Sequence, residues 1–342
     1  MEIKTKLKRA LLSGLLFSTL VTFVWFMFKS AGVKRAAVVM LCAAAVIFVL
    51  KLVFDIVADK LKLKAMFLAN ILFSVIAVAA LLLVAVYAFA PAVLFKTSFD
   101  EKAYNSMTDY EDTIEKIEIN GGEYSGWLMH NADDGAPLVL YYGGNEDNSS
   151  ARMAWLMEEN DRLVTFSKCN FAYVDYPGYG KSAGVPSDKS LKEFGLAVYD
   201  YFDQRSDIND IVIMGYSLGT GVANYVANQR NPKGLVLMAP YADGYDLYNN
   251  KLNIFHGPLR LLVSYKMRAE KFAKDVSVKP LILASNIDET VPYESSARLF
   301  QAYGNGCDFV TVNIGHREFW ENSEVMGKVR EYIAGLTDRA ER

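Results

Sequence analysis

One serine, one histidine and one aspartate stand where nucleophilic chemistry would need them. Gly215-Tyr216-Ser217-Leu218-Gly219 is a G-x-S-x-G segment, preceded by an apolar run and followed by a helical pattern. Flanking glycines permit a sharp strand-to-helix turn with no room for a Cβ, which leaves Ser217 exposed and strained. A serine hydroxyl is a poor nucleophile until a base takes its proton. The chain has three histidines. His130 ends a strand, His256 lies in an insertion, and His316 follows the last predicted strand in Gly315-His316-Arg317-Glu318. The order serine, acid, histidine makes His316 the expected base. The acid is Asp288, in Asn286-Ile287-Asp288-Glu289-Thr290 at the end of the seventh strand, where it would orient the imidazole and stabilise its charged form. Glu289, one residue on, should point elsewhere, and Asp243 and Asp246 are the second choice of acid.

A tetrahedral intermediate also needs preorganised N–H donors. One is the amide of Leu218, at the start of the helix after Ser217. The other should come from Tyr142-Gly143-Gly144-Asn145 after the third strand, by the amide of Asn145 or of Gly144. Tyr216, Tyr245, Tyr248, Phe255 and Leu261 are placed to line an acyl pocket, the last four within an insertion at about 241–279 that reads as a small cap.

The elements that must hold these residues alternate strand and helix. Strands are expected at Ile114–Ile119, Tyr124–Met129, Pro137–Tyr142, Phe171–Tyr176, Ile211–Tyr216, Leu235–Ala239, Leu281–Ala284 and Phe309–Ile314. Helices are expected at about 149–166, 188–204, 218–230, 293–303 and 318–336. Runs such as LVLYY, IVIMG and LVLMA are apolar on both faces, the pattern of strands inside a parallel sheet. Asn120-Gly121-Gly122 between the first two strands signals an antiparallel hairpin. The fold class is therefore α/β: a mostly parallel eight-stranded sheet flanked by helices, occupying residues 100–342.

Residues 1–99 read differently, as a helical transmembrane anchor. Spans are expected at 10–28, 36–54 and 65–95, since about 20 apolar residues cross a hydrocarbon core. Residues 65–95 hold no charge at all; the second span needs Lys51 to snorkel to an interface. Positive flanks number eight on one side and four on the other, which places the N-terminus in the cytoplasm and the globular domain outside the cell membrane.

Composition narrows the function classes. The 342 residues are 52% hydrophobic with a formal charge of −3, a small total that conceals an uneven division. Residues 1–99 carry twelve Lys and Arg against three acids, and the remainder 24 against 36. An acidic globular part has no surplus to neutralise phosphates, which speaks against nucleic acid as a partner. Three cysteines are too few for a disulfide framework and have no zinc spacing, so neither metal nor cofactor is expected. Gly180-Lys181-Ser182 could end a phosphate-binding loop, but Asp175 stands where that motif needs glycine, and nucleotide is not expected either.

The segments Tyr141-Tyr142-Gly143-Gly144-Asn145, Asp175-Tyr176-Pro177-Gly178-Tyr179-Gly180-Lys181-Ser182, Gly215–Gly219, Asp288-Glu289-Thr290-Val291-Pro292 and Gly315-His316 resemble the successive signatures of the α/β-hydrolase superfamily. Asp175–Ser182 is similar to the Bem46-like serine hydrolases. The resemblance covers about 110–336 and implies a membrane-anchored serine hydrolase (carboxylesterase, lipase or thioesterase) acting on an acyl ester or lipid through an acyl-enzyme. An acyltransferase using the same intermediate, or a non-catalytic binding protein of this fold, is the alternative. Family members usually carry His-Gly in the oxyanion loop, where this chain has Gly143-Gly144.

Overall fold

The computed structural model describes residues 31–60, 66–132, 136–158, 163–251, 253–303 and 306–337. The chain falls into two compact units, Met1–Leu94 and Phe95–Arg342. In the first, α1 (Ala31–Lys60) and α2 (Met66–Leu94) are helices of 30 and 29 residues. They share a hydrogen bond from Lys51 Nζ to Asn70 Oδ1 at 2.9 Å and a Phe54–Phe73 ring stack. The expected span at 10–28 lies outside the described residues, while those at 36–54 and 65–95 fall largely on α1 and α2. Counted over the described residues alone, no stretch of helix is long and apolar enough to cross a membrane. α2 as a whole nevertheless contains no charged residue.

The second unit is a single eight-stranded sheet with helices between its strands. In chain order it contains α3 (Glu101–Ser106), β1 (Ile114–Ile119), β2 (Tyr124–Met129), β3 (Leu138–Tyr142), α4 (Ser149–Glu158), β4 (Asn170–Val174), α5 (Asp188–Asp203), β5 (Ile211–Tyr216) and α6 (Leu218–Gln229). There follow β6 (Gly234–Met238), α7 (Gly244–Lys251), α8 (Ala269–Phe272), β7 (Leu281–Ser285), α9 (Tyr293–Ala302), β8 (Asp308–Val312) and α10 (Ser323–Thr337). The strand order is β1-β2-β4-β3-β5-β6-β7-β8. β2 lies antiparallel to both β1 and β4, and every other pairing is parallel. Asn120, Gly121 and Gly122 turn the β1–β2 hairpin with φ of 54°, 69° and 91°. β3 to β6 are buried along their whole length but for Tyr216, as double-sided apolar strands should be.

Three sequence expectations need correcting. Of the helix expected over 149–166, Ser149–Glu158 is helical and Val164–Phe166 is a 3-10 turn. The last helix starts at Ser323 rather than near 318, because His316–Glu318 forms its own 3-10 turn. Strands 4, 6 and 8 each begin one residue earlier than periodicity suggested.

The chain passes from β3 outward to β4, then returns across β3 to place β5 on its other side. The carboxyl ends of β3 and β5 thus flank the point where the winding reverses, the place where open α/β sheets form their sites. Tyr142 pairs with Gly215 there, so the loop after β3 and the turn after β5 emerge side by side.

Candidate active site

The turn after β5 has the strained geometry that its glycines permit. Ser217 sits at φ 51°, ψ −118°, a region where a non-glycine residue is held only by its surroundings. Two glycines make room for it. A Cβ on Gly215 would come within 2.8 Å of the Ala223 Cβ and Thr220 Cα, and one on Gly219 within 2.0 Å of the Tyr142 carbonyl oxygen. The turn is tied down by Ser217 N donating to Met238 O at 2.9 Å and by Thr220 Oγ1 donating to Ser217 O at 2.6 Å.

The structure brings Ser217, His316 and Asp288 together. Ser217 Oγ lies 2.9 Å from His316 Nε2, and His316 Nδ1 lies 2.7 Å from Asp288 Oδ2. A carboxylate only accepts, so the proton on a neutral imidazole belongs on Nδ1, and Nε2 is left to accept from the serine. The Asp288 side chain is almost wholly buried; its other oxygen accepts from Thr290 N at 2.7 Å and Val291 N at 2.8 Å. Those bonds fix the carboxylate plane before it meets the imidazole.

Neighbours hold the histidine. The Tyr216 ring lies against the imidazole with centroids 5.3 Å apart, and its hydroxyl donates to His316 O at 2.5 Å. Glu289, expected to point elsewhere, reaches the same loop: its carboxylate accepts from His316 N at 3.1 Å. Asp243 and Asp246 are occupied otherwise. Asp243 accepts from Tyr245 N, and Asp246 pairs with Arg298.

Leu218 opens α6, so its amide has no acceptor within the helix. Gly144 lies beside the serine, since a Cβ there would stand 3.6 Å from Ser217 Cβ and 3.0 Å from Tyr216 Cδ1. The Asn145 side chain turns away to accept from Lys96 N at 2.9 Å and Tyr179 Oη at 2.8 Å. The departure from His-Gly has a local cause: a Cβ on Gly143 would fall 1.9 Å from the Tyr173 hydroxyl and 2.5 Å from its Cζ.

Of the expected pocket residues, Tyr245, Tyr248 and Phe255 are buried in the cap, with Tyr248 and Phe255 rings 5.5 Å apart and the Arg260 guanidinium 3.9 Å from the Tyr245 ring centre. Leu261 is 74% exposed, because the 3-10 turn Gly257–Leu262 that carries it has no buried residue; it is not part of an enclosed wall. A groove lined by Tyr104, Lys116 and Trp127 lies at the β1–β2 side of the sheet and shares no residue with the triad.

Residue-type reasoning missed Asp175, Tyr176 and Tyr179. Asp175 is buried and accepts from Ser149 N at 2.7 Å and Ser149 Oγ at 2.8 Å, pinning the start of α4. Burial pushes its carboxyl from 3.8 up to about 6, against the pull of the Ser149 bonds. The folded state therefore binds the proton more tightly than the unfolded chain does. Asp175 makes its best contribution to stability below pH 4, and that contribution falls as pH rises through about 6, by about 3 kcal/mol in all. In chemical denaturation between pH 4 and 8, the parent should lose stability relative to Asp175→Asn as pH rises; a pH-independent difference would contradict the assignment. Asp243, raised to about 6 mainly by burial, keeps its own slope of the same sign in both proteins.

No protein-family profile matches the chain. It is 30% identical over 197 residues to Protein ABHD12B of Homo sapiens, covering 52% of this chain and 53% of that protein. It is 27% identical over 245 residues to Lysophosphatidylserine lipase ABHD12 of Gallus gallus, covering 60% and 61%. The chain thus spans between half and two thirds of the length of these two curated relatives. Among solved structures, Est1E from Butyrivibrio proteoclasticus with bound ferulic acid is similar at a TM-score of 0.54 and 21% identity, over 66% of this chain and 99% of that one. Sheet order, elbow and likeness together define the α/β-hydrolase fold.

Proposed function

We propose that the protein is a serine hydrolase that cleaves a carboxylic ester or thioester of a lipid or other acyl compound, tethered to a membrane by its N-terminal helices. The observation that carries this reading is the continuous relay from Asp288 through His316 to Ser217, at 2.7 and 2.9 Å. His316 takes the Ser217 proton as Oγ attacks the acyl carbonyl carbon. The amides of Leu218 and of Asn145 or Gly144 receive the oxyanion. As the intermediate collapses, His316 gives its proton to the departing alkoxide or thiolate and Ser217 keeps the acyl group. Water, deprotonated by His316, then repeats the sequence and releases the acid. Asp288 stays ionised throughout and stabilises the imidazolium.

The lipid part of the reading rests on surface chemistry. The cap exposes Ile254, Leu259 and Leu261, and over residues 241–279 it carries seven Lys and Arg against four acids. An apolar, basic patch on an otherwise acidic unit suits an amphiphile with an anionic head. The name of the chicken relative, a lipase for lysophosphatidylserine, and the Bem46-like segment Asp175–Ser182 agree with that class. The tether rests on the charge-free sequence of residues 65–95, with Leu72, Val75, Ile76, Val78 and Leu82 of α2 exposed. The count of positive flanks, eight against four, favours a hydrolase unit outside the cytoplasm.

The test is labelling of the detergent-solubilised chain with a fluorophosphonate, beside Ser217→Ala and His316→Ala. The parent should label and both variants should not. Labelling that persists in Ser217→Ala, or a folded parent that stays unlabelled, overturns the reading.

A further inference from the structure

The loop Gly143-Gly144-Asn145 has two glycines and no rigidity of its own, yet an oxyanion donor works only if its position is set before the reaction. What sets it comes from the neighbouring strand. β3 and β4 run parallel with Tyr141 opposite Tyr173, so the segments leaving their carboxyl ends lie together. Tyr173, Tyr176 and Tyr179 recur at every third position there, and each meets the loop. The Tyr173 ring lies against the Gly143 Cα. Tyr176 Oη donates to Gly143 O at 2.9 Å. Tyr179 Oη donates to Asn145 Oδ1 at 2.8 Å.

We propose that Tyr176 and Tyr179 are positioning residues for the oxyanion hole, acting through hydroxyl bonds to the loop that passes beside Ser217. The proposal rests on the serine hydrolase reading. Neither hydroxyl is free to swing. Both side chains are fully buried, their rings meet edge to face at 5.7 Å, and Tyr176 also packs on Phe194. The segment between them is held by its own turn, with Gly178 and Gly180 at φ 81° and 49°. Gly180 N donates to Ser98 O, Ser182 N to Tyr179 O, and Ser182 Oγ to Asp175 O at 2.7 Å.

The Tyr176 bond does more than hold. Gly143 O and Gly144 N belong to one peptide group, and a bond donated to the oxygen polarises that group and strengthens its N–H as a donor. Tyr179 and Lys96 N together saturate the Asn145 side-chain oxygen, which sets the orientation of that residue and so the direction of its backbone amide.

The experiment is kinetic, on the full-length chain in detergent with a short-chain acyl ester. Tyr176→Phe and Tyr179→Phe remove one oxygen each and keep the rings. Active sites are counted by fluorophosphonate titration, so that a poorly folded fraction does not register as slow turnover. Each variant should lower kcat per titrated site by about tenfold, below the roughly 100- to 1000-fold of a lost oxyanion donor, with KM within about twofold. Ki for an alkyl trifluoromethyl ketone, which places an oxyanion in the hole, should rise in step with the fall in kcat/KM. Tyr332→Phe is the control. Its hydroxyl donates to Lys279 O and accepts from Leu235 N at the opposite end of the strands, and its loss should lower Tm without changing kcat. An active parent whose two variants match it per titrated site, even with lowered Tm, overturns the proposal alone. A folded parent with neither labelling nor turnover overturns the hydrolase reading and this one with it.

Discussion

Replacing His316 with alanine is expected to lower kcat by roughly 10⁴- to 10⁶-fold with little change in KM. Among the described residues His316 is the base bonded to Ser217 Oγ, and the acids beside it, Asp288 and Glu289, are committed to the imidazole and to the His316 amide. Asp288→Asn is the more informative partner. Asparagine keeps an oxygen for the Thr290 and Val291 amides, so its NH2 faces His316 Nδ1. Two donors cannot share that 2.7 Å contact, and the imidazole must move its proton to Nε2, where it no longer accepts from Ser217. A loss of about 10⁴-fold, or about 5.5 kcal/mol of transition-state stabilisation, follows from the wrong tautomer alone. Steady-state hydrolysis of a soluble ester by the two variants checks both values. Losses under tenfold would mean that another group is the base.

Why so much of this site could be read from sequence is a matter of range. Ser217, Asp288 and His316 each sit within four residues of a strand's carboxyl end, and parallel strands deliver those ends to one edge whatever the intervening lengths. Local patterns therefore placed three residues that are up to 99 positions apart. What stayed hidden depends on pairing between particular strands. Nothing local says that β4 lies beside β3, and without that fact Tyr176 and Tyr179 are two more of twenty tyrosines. The same holds for Gly143. Its missing side chain looks like a departure from a family pattern until Tyr173 is seen beneath it. Leu261 failed for the opposite reason: apolarity suggested a pocket wall, but a 3-10 turn with no partner element leaves it in solvent.

Gly219→Ala should lower turnover by roughly 100-fold, although residue 219 takes no part in the chemistry. Its Cβ would stand 2.0 Å from the Tyr142 carbonyl oxygen, 2.5 Å from the Gly143 oxygen and 2.5 Å from the Tyr142 carbonyl carbon. All three are backbone atoms at the end of a fully buried strand, so no side chain can rotate to relieve the contact. The start of α6 must retreat from β3 by more than an ångström. That movement separates Ser217 and the Leu218 amide from Gly144 and Asn145, and a misplacement of about 1 Å is enough for roughly a 100-fold loss of rate. Overpacking at a site that cannot yield should also lower stability by about 3 kcal/mol. Gly327→Ala in α10 supplies the comparison, since nothing lies within 4 Å of a Cβ there; in a helix interior it should stabilise by about 0.5–1 kcal/mol and leave kcat unchanged. Thermal unfolding and kcat measured on the two variants decide the matter. If Gly219→Ala keeps the parent's Tm and turnover, the close approach of α6 to the end of β3 is not what holds the nucleophile against its oxyanion donors.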